Sequence, residues 1–209
     1  MNLAQLYDTL TASGSLSGWQ EMYVNFYKAW FLNDRWMQYF KGLLTTIEVT
    51  IIALIIGVAL GVVVAIIRTA HDQQRLGRNN PILGVINALC KIYVTIIRGT
   101  PMMVQLLIMG FVIFKSSRNF TVVGALSLGI NSGAYVAEII RGGLMSLDPG
   151  QMEAGRSLGL GYFDTMRFIV IPQAFKAILP ALGNEFITLL KDTSLISVIG
   201  GKGIVYFAQ

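Results

Sequence analysis

The sequence predicts an all-α fold, a polytopic transmembrane helical bundle. Three observations carry that expectation. Hydrophobic residues make up 54% of the 209 positions and charged residues only 13%, against roughly 25% charged in an average soluble domain. Several apolar runs are long enough to cross about 30 Å of hydrocarbon. The basic residues gather in the polar connections between those runs, as cytoplasmic loops require. The net charge of +5 is read in that light. No basic patch interleaved with aromatics suggests a nucleic-acid surface.

Residues 1–40 are dense in aromatics: Trp19, Tyr23, Phe26, Tyr27, Trp30, Phe31, Trp36, Tyr39 and Phe40. Amphipathic rings settle at a membrane–water boundary, so this stretch is expected to be an interfacial segment, with a transmembrane domain over 41–209. No basic run leads directly into an apolar core at the start, so no cleaved signal peptide is expected. The first span is read from Gly42 to Ile67, with Glu48 near one end. The loop after it carries Arg68, Arg75 and Arg78 and is placed in the cytoplasm, which puts the N-terminus outside.

Residues 81–115 are interrupted by "RGTP", Arg98 to Pro101. A residue before proline is pushed out of helical geometry. The spacing therefore predicts a tilted or interfacial helix, a break at Gly99–Pro101, and a continuation across the membrane. Residues 120–140 form another span, rich in small residues that let helices approach closely. Ala174 to Ile199 crosses once more. Between the basic loop at 68–80 and the one at 148–172 the chain must cross an even number of times. Crossings within 92–115 and 120–141 satisfy that.

The stretch "EAGRSLGLGYFDTMRFIVIP", Glu153 to Pro172, lies between two spans. Asp148 and Pro149 predict a helix start, with Gln151 at the capping-box position. Gly159 and Gly161 can close that helix in left-handed conformation. A second short helix from Tyr162 is expected, with Pro172 ending it or starting the next element. The residues alone allow two readings: an amphipathic linker, or a docking element for a soluble partner.

Ionisable residues inside a span are functional candidates by default. Glu185 and Asp192 are seven residues apart and so share one helix face, with Asn184 beside it. A carboxylate pair suits an ammonium or guanidinium group; an ion pair of Asp192 with Lys191 or Arg98 is the structural alternative. Glu138 and Arg141, three apart, are expected to pair with each other. The Gly99–Thr100 break is a further candidate for ligand contact, since irregular backbone at membrane depth lines protein or water. Cys90 is the single cysteine and reads as a packed small residue. His71 is the single histidine, and a metal site needs several ligands at set spacing. With no metal-ligand cluster and no G-x-S-x-G, no catalytic residue is expected.

The loop resembles the EAA loop of ABC importer permeases: E-A-A, three residues, G, nine residues, I-x-L-P. Glu153, Ala154, Gly155, Gly159, Ile169, Ile171 and Pro172 stand at those spacings, with Gly155 for alanine and Ile171 for leucine. "RGTPMMVQL", "GAYVAEIIRGGL" and "LGNEFITLLKDTSLISVIG" are similar to the polar amino acid subfamily, the histidine, glutamine and arginine permeases. The resemblance covers roughly residues 40–205. It implies a type I importer permease architecture in a bacterial inner membrane. It places coupling to an ATP-binding subunit on Glu153, Ala154, Gly155 and Gly159, and substrate binding on Glu185 and Asp192. It also implies a second permease copy or a sister permease, an extracytoplasmic amino-acid-binding protein, and a further span after "SVIG", whereas this sequence stops at Gln209. No G-x-x-x-x-G-K-[ST] occurs, and "GGKG" lacks the Ser/Thr that ligates magnesium. ATP and magnesium are therefore expected on the partner, with no cofactor on this chain. The competing reading is a channel-like or structural membrane protein without an ATPase.

Overall fold

The computed structural model describes residues 3–12, 17–72, 74, 80–203 and 205–206. Arg75 and Arg78, two of the three arginines placed in the basic loop, lie outside them. Helices α1 (Leu3–Ala12) and α2 (Gly18–Trp30) form a hairpin in which Tyr7 stacks on Tyr27, ring centroids 4.8 Å apart. Trp19, Phe26 and Trp30 stay exposed. After a short 3-10 turn, α3 (Arg35–Asp72) runs for 38 residues, about 57 Å at 1.5 Å per residue. It passes through residue 40 without a break and extends beyond the apolar core that the sequence marks from Gly42 to Ile67.

The buried residues of α3 include Gly42, Thr46, Val49, Ala53, Gly57, Gly61 and Val64. Steps of three and four give one stripe down the helix, and most of its members are small. That stripe packs on α6 (Phe120–Met145), the most deeply buried of the long helices. A Cβ on Gly61 would stand 2.6 Å from Val136 Cγ1 and 3.0 Å from the Ala137 nitrogen, so glycine is what allows this backbone approach. α3, the oiliest helix, exposes the rest of its circumference. α6, with its Ser, Asn and Gly residues, sits at the centre, where protein rather than lipid meets those polar groups.

Contacts fix the direction of the helices. Ile56 meets Gly129, Gly57 meets Ser132, and Gly61 meets Val136. Both numbers rise together, so α3 and α6 are parallel. The chain between them must therefore cross the membrane once in net. α4 (Pro81–Gly99) is long and apolar enough to span alone, yet its end lies beside Tyr135 and Glu138, inside the length of α6. The crossing is completed by α5 (Met102–Ile108) and a wide π turn, Met109–Ile113, which reaches Ile199 through Gly110. The packing gives one net crossing between α3 and α6, broken at Gly99–Pro101; the sequence sets that crossing within 92–115, after a tilted or interfacial helix.

The break is a change of chain direction with its polar groups accounted for. Thr100 is extended at φ −116°, ψ 141°, and Pro101 caps α5. In an unbroken helix the Ile97 carbonyl would accept from residue 101, but proline has no N–H to give. Gln105 Nε2 donates to that carbonyl instead, at 2.8 Å, and to Thr100 Oγ1 at 2.8 Å. Its Oε1 accepts from Asn131 Nδ2 of α6 at 3.1 Å. One amide side chain therefore repairs the break and ties it to the central helix.

The chain leaves α6 into α7 (Gly150–Ser157), turns, and continues as α8 (Tyr162–Thr165), a π turn Met166–Val170, α9 (Ile171–Asp192) and a 3-10 segment Thr193–Ile199. Pro172 falls in the first turn of α9, where it starts the next element, one of the two expected outcomes. The widened turn, with Ile171 N–H reaching the Met166 carbonyl, absorbs the missing donor, and the helix runs on. α9 is antiparallel to α6: Ile178 meets Gly143, Glu185 meets Ser132, and Ile196 meets Gly124.

Replacing Gln105 by leucine leaves the Ile97 carbonyl and Asn131 short of partners. Gln105→Leu is expected to lower unfolding stability by about 1–3 kcal/mol, read as a fall in the thermal unfolding midpoint of the purified protein in nanodiscs. An unchanged midpoint would show that the break is held by something else.

Candidate functional site

A cavity of about 370 Å³ opens at the break, near the middle of α6. Its walls include Gly99 and Thr100 from the break, Asn131 and Tyr135 from α6, and Glu185 and Asp192 from α9. Four residues singled out in the sequence thus meet at one place. The volume lies at the lower end of the roughly 300–1,000 Å³ typical of small-molecule sites. Asn184 is exposed and is not among the lining residues; its carbonyl accepts from the Thr188 hydroxyl at 3.1 Å. It sits one position off the face that Glu185 and Asp192 share.

The two carboxylates are held differently. Glu185 is 7% exposed and accepts a hydrogen bond from Ser132 Oγ at 2.7 Å, which fixes its orientation against α6. Among the described residues the Asp192 carboxylate has no hydrogen bond or ion pair; neither Lys191 nor Arg98 reaches it. Arg98 lines the same cavity as these acids. Its guanidinium lies over the Tyr135 ring, 5.2 Å from the centroid, and its Nη1 is 3.8 Å from Glu138 Oε2. The cavity therefore carries negative groups on α9 and a positive group at the end of α4.

Glu138 and Arg141 are 3.9 Å apart, but each has a closer partner. Arg68 of α3 hydrogen-bonds Glu138, and Arg141 reaches Asp72 at 3.2 Å. The expected local pair is thus one contact in a cluster that joins α3, α4 and α6 at one end of the bundle. Local spacing could not show it, because Arg68 and Glu138 are 70 residues apart. His71 lies in the last turn of α3, 3.7 Å from Asp72. No group of three potential metal ligands occurs among the described residues. Cys90 is free and packs beside Tyr93 and Ile97 against a small core that includes Val64 and Ala134.

The hairpin that follows α6 is held by local hydrogen bonds and packing. Asp148 Oδ1 accepts from the Gly150 N–H at 2.8 Å, which starts α7. Gln151 does not close a capping box; its Oε1 takes a hydrogen bond from Gln173 at 2.9 Å, because the second arm of the hairpin brings a better donor. Gly159 is left-handed, φ +80°. Its N–H donates to the Arg156 carbonyl at 2.9 Å, and the Leu160 N–H to the Gly155 carbonyl at 3.0 Å, a Schellman closure. Gly161 instead is extended, φ −68°, ψ 167°, at the start of α8. Gly155 is buried against Thr165: a Cβ there would sit 2.5 Å from Thr165 Cγ2. Glu153, Ala154 and Arg156 face outward, and Leu158 and Phe163 are 77% and 84% exposed.

Sequence reasoning did not single out Asn131, Tyr135, Gln105 or Ser132. Asn131, Tyr135 and Glu138 follow steps of four and three, one face of α6, and that polar stripe inside a span was the available signal. Gln105 could have been found as the polar residue one turn after a proline break.

A family model described as the binding-protein-dependent transport system inner membrane component matches residues 81–208. The arginine transport system permease protein of Bacillus subtilis is 37% identical over 165 residues, covering 77% of this chain and 69% of that protein. The glutamine transport system permease protein of Escherichia coli is 32% identical over 164 residues, covering 77% and 70%. A crystal structure of an amino acid ABC transporter with histidines superposes with a TM-score of 0.69 at 41% identity, covering 81% of this chain and 75% of that one. A methionine ABC transporter in an inward-facing conformation shares the fold at 16% identity and a TM-score of 0.69, over 83% and 80%. A multi-pass helical bundle with an exposed hairpin at one end, this chain belongs to the family of inner membrane components of binding-protein-dependent transport systems, as a permease subunit.

Proposed function

We propose that the chain is the membrane subunit of an ATP-driven importer of polar amino acids, with a preference for cationic ones. The observation that carries this is the cavity of about 370 Å³ at the helix break, whose lining includes Glu185, Asp192 and Arg98. Carboxylates held out of water make strong charge-assisted contacts with an ammonium or guanidinium group. Ser132 uses part of Glu185, and Asp192 is left open to a ligand. The names of the relatives, arginine and glutamine permeases, support the substrate class.

The source of motion is a partner ATP-binding subunit, which would hold ATP and magnesium. Its docking point on this chain is the hairpin, through Glu153, Ala154 and the exposed Arg156, Leu158 and Phe163, with Gly155 and Gly159 setting its shape. The second arm continues without interruption from Tyr162 into the helix that bears Glu185. A displacement at the hairpin is carried along that helix to the cavity wall, which is the physical basis for alternating access. Two such halves are needed, so a second copy or a sister permease completes the pathway. An extracytoplasmic amino-acid-binding protein delivers the substrate at the other face of the bacterial inner membrane.

Two outcomes test this reading. Glu185→Gln removes one charge and keeps the shape; it is expected to weaken L-arginine transport about tenfold or more and to change L-glutamine transport little, with co-purification of the ATPase retained. Equal loss for both substrates, or loss of assembly, would give Glu185 a structural role. Gly155→Ala is expected to cost about 1–3 kcal/mol of overpacking against Thr165, uncoupling ATPase stimulation from substrate. Gly155→Ala combined with Thr165→Ala should recover part of the coupling; full coupling in the single variant would contradict the docking geometry.

A further inference from the structure

Arg98, at the end of α4 beside the cavity, has donors that are largely unspent. A guanidinium carries five N–H donors, and among the described residues that of Arg98 makes no hydrogen bond. Its partners are the face of Tyr135, with the centroid 5.2 Å away, and the Glu138 carboxylate at an ion-pair distance of 3.8 Å. Glu138 does not depend on it, since Arg68 already hydrogen-bonds the other carboxylate oxygen and Arg141 lies 3.9 Å from that oxygen. Around Glu138 and Asp72, three guanidinium groups face two carboxylates. Arg98 is the least engaged of the three and the one that lines the cavity.

Building on the proposed function, we infer that Arg98 is the residue that recognises the substrate's α-carboxylate, and that Glu138 is a positioning residue that parks its guanidinium between substrates. A guanidinium fork matches a carboxylate bidentately, and Arg98 lines the same cavity as Glu185 and Asp192. A zwitterionic amino acid would then lie with its carboxylate toward the end of α4 and its side chain toward α9. On arrival the carboxylate takes Arg98 over from Glu138, which keeps Arg68 and Arg141. The polar head is thereby read separately from the side chain.

The test uses the transporter purified as its native complex through this chain, with binding of L-arginine, L-glutamine and agmatine, the last being arginine without its α-carboxylate. Arg98→Gln is expected to weaken both amino acids about tenfold or more and agmatine less than about twofold. Arg98→Lys keeps the charge without the fork and should fall between. Glu138→Gln releases the parked guanidinium and should tighten both amino acids about two- to fivefold while leaving agmatine unchanged. Should Glu138→Gln fail to assemble, the Arg98 pair still decides the matter. Equal loss of all three probes in Arg98→Gln, or no change in any of them, overturns the assignment. The parent reading fails differently: the unaltered complex would then bind neither amino acid. Equal affinity of the unaltered complex for L-arginine and L-glutamine would remove the cationic preference alone and leave Arg98 in its role.

Discussion

A backbone carbonyl that has lost its helical donor cannot be left bare in a membrane, where no water stands by to satisfy it. Pro101 creates one such carbonyl, on Ile97, and the structure around it answers that single demand. Gln105 supplies the donor, and Asn131 holds Gln105 in turn. Because the broken chain is tied to the central helix at that point, α4 stops part-way along α6 and α5 departs at a new angle. The space left between them and α9 is the cavity. Thus the interruption and the site are one feature, and the polar lining exists because the break already required polar neighbours.

The central helix makes this possible by being unsuited to lipid. α6 carries Ser127, Asn131 and Ser132 among glycines and alanines, all buried. α3 approaches closely because Gly57 and Gly61 carry no side chain at the contact. Large aliphatic side chains such as Ile55 and Val63 point outward, while Gly57, Gly61 and Ser132 sit at the α3–α6 contact. Dispersion and close backbone approach hold the pair, since lipid tails are as apolar as leucine and offer no hydrophobic drive between helices.

Local rules made much of this legible. Proline and glycine marked the break at 99–101 and the hairpin turn at Gly159, because their constraint acts on their own backbone. The seven-residue spacing of Glu185 and Asp192 placed both on the cavity face, because helical period needs no tertiary information. The same period puts Asn184 off that face. What failed to show depended on distant partners. Glu138 was matched to Arg141 by spacing, yet Arg68, far away in sequence, is its hydrogen-bond donor. Gln151 suited a capping box until Gln173 arrived from the other arm. Pro172 marked the start of α9, but the wider helical turn just before it, which joins α9 to the hairpin, is not encoded in composition.

That uninterrupted passage gives the account its mechanical core. A hairpin closed by Gly159 and packed through Gly155 on Thr165 leads into the helix that bears Glu185 and Asp192. The central claim is that a polar amino acid occupies the cavity at the break. The most direct measurement is a structure of the native complex with L-arginine bound. The account predicts ligand density in contact with Glu185 and Asp192, bounded by Gly99 and Thr100. Density elsewhere in the bundle, with this cavity closed by its own side chains, would contradict it.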